Sequence, residues 1–197
     1  WVAASIAAAA AHPLGVGDAR YRHASQAQSV DTVPFGAFRR KLIEKVGLFD
    51  ETLLANEDYE FNTRIRQSGG TVWLDPAIKS IYFARPTFSR LAKQYFNYGY
   101  WKWKMLQRYP KTLRWRQFLP PVFVLSLILL ILLGFFFPFS FVFFFFELIV
   151  YFAILLIAGL KIGKPALPLA ISVMHLSWGS GFLWSALRSM IMRTKNV

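Results

Sequence analysis

The distribution of apolar residues divides the chain into two parts of different character. The second part contains three long apolar runs, at about residues 119–137, 139–160 and 167–187. A helix that crosses a bilayer needs about 20 apolar residues, so these runs predict two to three membrane helices. Residues 1–118 instead mix short apolar and polar stretches. The pattern therefore predicts a folded lobe over 1–118 and an α-helical membrane region over 119–197.

Helical periodicity predicts four helices in the lobe. An Ala-rich stretch covers residues 2–11, and an amphipathic stretch covers residues 37–46, with Gly47 placed for a left-handed C-terminal cap. Asn56 is a good N-cap for the third helix, whose acidic first turn and basic last turn match the helix dipole. Thr87 begins the fourth helix, along which aromatic and apolar residues recur at helical spacing.

Short stretches rich in β-branched and aromatic residues predict strands in the same lobe. They cover residues 30–35, 71–74 and 78–83. Pro34 interrupts the first of them, which indicates an edge strand or the end of a strand. The Asp75-Pro76 turn separates the other two.

Composition and charge narrow the classes of function. The 197 residues carry a net charge of +13 and no cysteine, which excludes a disulfide framework and a thiolate metal site. The three histidines are scattered and lack the spacing of metal ligands. Residues 102–116 combine cations and aromatic side chains without any acid. Because this segment adjoins the apolar runs, anionic lipid headgroups explain its charge more simply than nucleic acid does.

The same basic segment predicts the orientation of the membrane region. Cytoplasmic flanks are rich in Lys and Arg, so the lobe is expected in the cytoplasm. Two crossings return the chain to the cytoplasm at Lys161 and Lys164, in agreement with that rule. A third crossing would place Arg188 and Arg193 outside, against the rule. The third run is therefore either a span or a re-entrant or interfacial segment, which could break at Gly179-Ser180-Gly181.

Two titratable residues lie within the apolar runs. Glu147 is the one acid there, and a buried charge at such a position is costly, so it is expected to be functional, paired or protonated. Tyr151, four residues later, could share a hydrogen bond with it. His175 near Trp178 is either a packed interfacial histidine or a ligand.

Glu57 and Asp58 are the residues with the clearest chemical potential. A carboxylate beside a hydroxyl group can accept its proton as a general base. Acidic residues in a first helical turn are also ordinary, because they complement the helix dipole. Two effects oppose each other at Asp58: the helix N-terminus lowers the pKa of its carboxyl group, and exclusion of water raises that pKa.

The stretch VDTVPFGAFRRKLIEKVGLFDETLLANEDYEFNTRIRQSGGTVWLDPAIKSIYFARPTFSRLAKQYFNYGYWKWKM resembles the second half of a family 2 glycosyltransferase domain, within the succinoglycan-biosynthesis type. The pattern from Gly36 to Asp50, followed by Glu57-Asp58, carries the resemblance, which covers residues 14–118. The resemblance implies an α/β fold of the GT-A type for the lobe. It also implies a multi-pass protein of the bacterial inner membrane with a cytoplasmic catalytic lobe.

The resemblance further implies roles for individual residues. Asp58 would be the general base of an inverting transfer, with Glu57 in a supporting role. Gly36, Arg40 and Gln94 are the expected substrate-binding residues, although arginine on a helix surface is also an ordinary solvent-facing charge. Many family members continue from this glutamine as Gln-x-x-Arg-Trp. This chain has Asn and Tyr in place of that Arg and Trp, which puts a processive, polymer-building role in doubt.

The family binds its sugar nucleotide through an N-terminal half that carries an acidic Asp-x-Asp metal motif. This chain contains no Asp-x-Asp sequence. The resemblance therefore implies that the donor-binding half, and the ligands of a divalent Mg or Mn ion, lie outside residues 1–197. The chain is expected to be the C-terminal portion of a longer enzyme, without a metal site of its own.

The expected function is inverting transfer of a sugar in bacterial exopolysaccharide synthesis. A nucleotide-sugar would be the donor, a lipid-linked glycan the acceptor, and membrane lipids further partners, with no role for nucleic acid. The alternative is a non-catalytic membrane protein whose basic, aromatic lobe binds anionic lipid or a protein partner.

Overall fold

The computed structural model describes residues 1–17, 19–22, 24–112 and 114–194, with side chains as far as residue 192. Helices dominate these residues. In chain order the elements are α1 (Val2–Ala11), α2 (Pro13–Val16), β1 (Gln28–Ser29), α3 (Arg40–Val46), α4 (Glu57–Gln67), β2 (Trp73–Leu74), α5 (Phe88–Arg108), α6 (Leu119–Gly134), α7 (Ser140–Lys161) and α8 (Leu167–Thr194). Short 3-10 helices lie at Arg20–Arg22, Pro110–Thr112 and Trp115–Phe118.

The sheet is much smaller than an α/β domain requires. Strands β1 and β2 pair antiparallel, with Gln28 opposite Leu74, and the Val30 amide extends the pairing to the Val72 carbonyl at 2.9 Å. The last two residues of the predicted strand at 71–74 therefore form a strand, which confirms that part of the prediction. Among the described residues the α/β sheet implied by the resemblance is reduced to this pair.

Two of the predicted strands are wrong. Residues 30–35 continue as an irregular segment beyond the β1 pairing, and residues 78–83 form no strand. Ile78 and Phe83 are 83% and 86% exposed. A strand is stable only when a neighbour satisfies its backbone groups and covers its apolar face, and residues 78–83 have no such neighbour in the described structure.

The helices of the lobe agree better with the sequence. Helix α1 has the predicted bounds, whereas α3 begins at Arg40, three residues later than expected. Gly47 ends α3 with φ 81° and donates its N–H to the Ile43 carbonyl at 2.7 Å, but its ψ of 176° is not that of a left-handed cap. The helix predicted from Thr87 begins there, with the Thr87 hydroxyl accepting the Arg90 N–H at 3.3 Å.

Asn56 occupies the N-cap position of α4 but does not cap it with its side chain, which corrects the prediction. Its backbone adopts the left-handed conformation, with φ 67° and ψ 15°. Its side-chain amide instead donates to the Tyr98 carbonyl of α5 at 3.3 Å. A contact distant in sequence therefore replaces the local cap.

A small apolar cluster holds α4 against the strand pair. Val30, Phe61, Ile65 and Val72 are its buried members, and the Phe49 ring stacks on Phe61 with centroids 4.3 Å apart. Burial of each large apolar side chain contributes roughly 1.5–3 kcal/mol. This cluster fixes the orientation of α4, which carries the candidate catalytic residues.

Helices α5 and α8 touch through their backbones. A Cβ atom added at Gly99 would lie 2.0 Å from the Trp178 carbonyl oxygen, and one at Gly181 would lie 2.1 Å from the Phe96 carbonyl oxygen. Helix α6 approaches α8 in the same way, since a Cβ at Gly179 would lie 2.4 Å from the Pro120 carbonyl oxygen. Small residues permit this close packing of helices.

The third apolar run forms one continuous helix, α8, and the glycines at its centre do not break it. By length and composition, two described segments are suited to cross a membrane, Trp115–Gly134 and Ser140–Lys161. Helix α8 instead packs along α5 and buries Leu167, Ile171 and Met174 in a core shared with α1 and α7.

The titratable side chains Glu147 and His175 of the apolar segments both have partners. Glu147 of α7 accepts a hydrogen bond from the Ser126 hydroxyl of α6 at 2.7 Å, so its partner is Ser126 and not the predicted Tyr151. The Tyr151 hydroxyl lies 3.0 Å from His175 Nδ1, and His175 Nε2 lies 2.8 Å from the Leu14 carbonyl oxygen. His175 is thus a packed residue that links α7, α8 and α2.

Substitution of Gly99 by alanine should destabilise the fold, although alanine is the better helix former by about 1 kcal/mol. The added methyl group would collide with the Trp178 backbone, and overpacking of this kind costs about 1–3 kcal/mol. Thermal unfolding in detergent, followed by circular dichroism, should show a lower midpoint. Asn97→Ala, at an exposed position of α5, is the control and should stay within about 0.5 kcal/mol of wild type. A Gly99→Ala protein as stable as wild type would show that the two helices can separate without cost.

Candidate active site

Three acids in the first turn of α4 have three different environments. Glu57 is exposed, Asp58 is half-buried and Glu60 is buried. The Glu60 carboxylate is bound by Arg64, with Nε to Oε1 at 2.5 Å and Nη2 to Oε2 at 2.9 Å. Glu60 is therefore a structural residue, and its i, i+4 spacing to Arg64 is the sequence signal for this pair.

Asp58 is the acid of this turn that is partly buried without a counter-charge. Its Oδ1 accepts the Tyr59 backbone N–H at 2.7 Å, and no cation pairs with it among the described residues. The side chain is thus held by one hydrogen bond and keeps acceptor capacity for a ligand. This geometry leaves Asp58 available for proton transfer.

Burial decides the ionisation of Asp58. Loss of water raises the pKa of its carboxyl group, the Tyr59 hydrogen bond lowers that pKa, and the negative charge of Glu57 raises it. The net pKa lies above the ordinary aspartate value. Exclusion of water is the largest of these effects, and it outweighs the Tyr59 hydrogen bond. A raised pKa makes the carboxylate a stronger base.

The structure connects Gln94 to the same turn. Gln94 Nε2 donates to the Tyr98 hydroxyl at 2.7 Å, and the Tyr98 carbonyl accepts the Asn56 amide two residues before Asp58. Gln94 Oε1 also accepts the Arg85 Nε–H at 3.1 Å. Gln94 is therefore linked to Asn56 through Tyr98, and no described contact joins Gln94 to Asp58, so its expected role in substrate binding stays a prediction.

Gly36 and Arg40 are not connected to that turn by any described contact. A Cβ at Gly36 would meet one neighbour, the Val33 side chain, at 3.3 Å. Arg40 is exposed at the start of α3. Their expected role in substrate binding therefore stays a prediction.

A buried lysine lies beside the site and was not expected from the sequence. Lys102 is 1% exposed, its Nζ lies 4.0 Å from the centre of the Tyr59 ring, and it donates to the Thr112 carbonyl at 3.2 Å. Burial lowers the pKa of Lys102 to about 7, although the charge of Asp31 acts in the opposite direction. The sequence signal was its helical spacing from Tyr95 and Tyr98, which places it on the inner face of α5.

The acidic and histidine side chains of the described residues form no group of three that could hold a metal ion.

Arg64 also contributes to the shape of the site by donating to the Val46 carbonyl and, at 2.7 Å, to the Leu48 carbonyl. These bonds hold the end of α3 and the start of the following loop against α4, the helix that carries Asp58.

Comparison with known proteins supports glycosyl transfer at the level of the family. The chain is 28% identical over 119 residues to a dolichyl N-acetyl-alpha-D-glucosaminyl phosphate 3-beta-D-2,3-diacetamido-2,3-dideoxy-beta-D-glucuronosyltransferase from Methanococcus voltae, across 60% of the chain and 36% of that protein. It is 27% identical over 107 residues to the succinoglycan biosynthesis protein ExoA of Rhizobium meliloti (strain 1021), across 54% of the chain and 32% of that protein. No family model and no solved structure matches. The chain spans about a third of the length of the curated relatives it matches.

Asp58→Asn should not destabilise the protein at neutral pH. Because the pKa of Asp58 is raised on folding, the folded state binds its proton more tightly, and stability falls as the pH rises above about 4. Asparagine removes that charge and keeps the acceptor for the Tyr59 N–H. The thermal midpoint at pH 7 should be equal to or above that of wild type.

Asp50→Asn is the matched control. Hydrogen bonds from Thr52, together with Arg108 at 3.0 Å, lower the pKa of Asp50, so its stabilising effect is present above about pH 4 and is lost as the pH falls further. This variant should therefore lose stability at pH 7. If Asp58→Asn loses as much, Asp58 is a structural residue.

Lys102→Met should remove a pH dependence of stability. Between pH 7 and about 10 the unfolded chain holds a proton on Lys102 that the folded chain has released, so stability rises by up to about 1.4 kcal/mol per pH unit. Thermal unfolding across this range should show a shallower rise for Lys102→Met than for wild type. Lys104→Met removes the same charge from a partly exposed position and serves as the control. An unchanged slope in Lys102→Met would show that the amine stays protonated in the fold.

Proposed function

We propose that this chain is part of an inverting glycosyltransferase that transfers a sugar from a nucleotide-sugar donor to a lipid-linked glycan in bacterial exopolysaccharide synthesis. The observation that carries the proposal is Asp58, a half-buried carboxylate with a raised pKa and no counter-charge among the described residues. The two relatives named for sugar transfer and for succinoglycan biosynthesis support it.

Asp58 would act as the general base. Its carboxylate accepts the proton of the acceptor hydroxyl while the oxygen attacks the anomeric carbon. The bond from that carbon to the nucleotide diphosphate breaks on the opposite face, which inverts the configuration. Positioned bases of this kind contribute about 10²–10⁴ in rate.

The neighbouring residues would position the substrates. Gln94 would bind an acceptor hydroxyl or the leaving diphosphate through its side-chain amide. Arg40 and Gly36 would line the approach of the substrate, and Glu57 would support Asp58 because its negative charge raises the pKa of that carboxyl group. A divalent Mg or Mn ion would neutralise the leaving diphosphate, held by residues outside this stretch of chain.

The proposed setting is the bacterial inner membrane. The lobe would complete a GT-A domain of family 2 on the cytoplasmic side, and the two apolar segments would anchor it as part of a multi-pass protein. The hydrogen bond from Asn56 to Tyr98 connects Asp58 to α5, and α5 packs on the membrane region through α8. This connection would hold the base close to a lipid-linked acceptor.

Asp58→Asn should reduce sugar transfer by about 10²–10⁴-fold, because asparagine cannot accept the hydroxyl proton. The assay follows a radiolabelled sugar from nucleotide donors into the lipid extract of membranes that contain the complete enzyme of which this chain is proposed to be a part. Glu57→Gln is the control, since this adjacent exposed acid should lose less than about tenfold. Equal protein in the membrane fraction, shown by immunoblotting, separates lost chemistry from lost folding.

Unchanged transfer in Asp58→Asn would remove this residue from the mechanism. Absence of sugar transfer by the wild-type protein would instead favour the non-catalytic alternative, in which the basic, aromatic surface binds lipid or a partner.

A further inference from the structure

A cavity of about 310 Å³ lies on the lobe away from the first turn of α4. It is lined by Arg20, Ser29, Val30, Asp31, Arg66 and Arg114. These residues come from the 3-10 helix Arg20–Arg22, from the strand pair, from the end of α4 and from the segment before α6. Four separate parts of the chain thus converge on one small polar space, which is large enough for a compact ligand.

The charges that line the cavity do not balance. Asp31 is 6% exposed and pairs with Arg114 at 3.2 Å and with Arg116 at 3.7 Å. Arg20 and Arg66 meet no carboxylate among the described residues: Arg20 donates to Gln28 Oε1 at 2.8 Å and Arg66 donates to the Thr63 hydroxyl at 3.0 Å. Among the described residues, the guanidinium groups of Arg20 and Arg66 therefore bind neutral acceptors only.

Arg66 has an unused donor. Its Nε is buried and has no hydrogen-bond partner in the described structure. A buried donor without a partner is destabilising, so such groups in native proteins call for an explanation. An anionic ligand in the cavity would supply an acceptor once the partly exposed Arg66 side chain turns this N–H towards it. Guanidinium groups bind phosphate through parallel N–H···O bonds, which makes phosphate the fitting anion.

The cavity lies where the chain enters the membrane. Arg114 immediately precedes the apolar segment Trp115–Gly134. Trp115 is 75% exposed, and tryptophan is enriched at bilayer interfaces. The cavity also shares α4 with the proposed base, because Arg66 follows Asp58 by eight residues, or about 12 Å along the helix axis.

We propose that the cavity formed by Arg20, Arg66 and Arg114 binds the phosphate or diphosphate headgroup of a membrane lipid. The assignment rests on the proposed function for the role of that lipid, which would be the carrier of the acceptor glycan. The phosphate would be held at the membrane surface, while the glycan extends towards Asp58 at the other end of α4.

Binding of phosphatidic acid tests this site, because its headgroup is a phosphate monoester. The purified protein is titrated with this lipid in detergent and the bound fraction is measured by native mass spectrometry. Arg66→Gln and Arg20→Gln should each weaken binding by about 10- to 100-fold, the effect of one charged hydrogen-bonding group. Arg114 is left intact because it pairs with Asp31.

Arg90→Gln is the matched control. It removes the same charge from an exposed position in the first turn of α5 and should bind within about twofold of wild type. An equal loss of phosphatidic acid binding in Arg90→Gln would show that net charge alone causes the effect, and it would overturn the proposed site. Unchanged binding in both Arg66→Gln and Arg20→Gln would also overturn it. Arg20 is exposed, so its variant keeps the test valid if Arg66→Gln unfolds.

Inorganic pyrophosphate separates a lipid headgroup from a soluble diphosphate. Weak displacement of phosphatidic acid by pyrophosphate supports the lipid assignment. If the arginine variants no longer bind pyrophosphate but still bind phosphatidic acid, the lipid assignment is wrong. Asp58→Asn should bind phosphatidic acid normally. Failure of sugar transfer therefore leaves the binding result intact, and the two proposals are tested separately.

Discussion

The site depends on one buried ion pair, Glu60 with Arg64. Glu60 is 1% exposed, and loss of one partner of a buried pair commonly costs about 3–5 kcal/mol because the other charge is left uncompensated. Arg64 also binds the carbonyls of Val46 and Leu48, so a single side chain fixes the end of α3, the following loop and α4. Since α4 carries Asp58 at its beginning and Arg66 at its end, both proposed functional groups are positioned by this pair.

The charges around α4 illustrate how environment decides the role of chemically equal groups. Glu57 is solvated, Glu60 is neutralised by a cation, and Asp58 is partly dehydrated without one. Desolvation without a counter-charge makes a carboxylate more basic, whereas pairing makes it structural. The same logic applies to cations. Arg64 is committed to Glu60, while Arg66, two residues later, keeps a buried N–H without a described partner.

Local patterns in the sequence were sufficient to predict α1, α3, α4, α5 and the apolar segments, because their signals are periodicity and length, whereas the short helix α2 was not predicted. The position of Asp58 followed from the family pattern, and its partial burial did not. The strand predicted at 78–83 failed because β structure requires a neighbour distant in the chain. For the same reason, the Asn56 side chain donates to the distant Tyr98 carbonyl and does not cap its own helix. The burial of Lys102 and the assembly of the arginine cavity also depend on contacts that no local pattern reveals.

The backbone contact between α5 and α8 has a genetic consequence. When two side chains collide, a smaller residue at the second position can restore the fit. At Gly99 and Gly181 the opposing atoms are the carbonyl oxygens of Trp178 and Phe96, which every amino acid possesses. Replacement of either aromatic residue would therefore create no space. Second-site suppressors of a bulky substitution at Gly99 should be absent from position 178 and should arise only where they let one helix slide along the other.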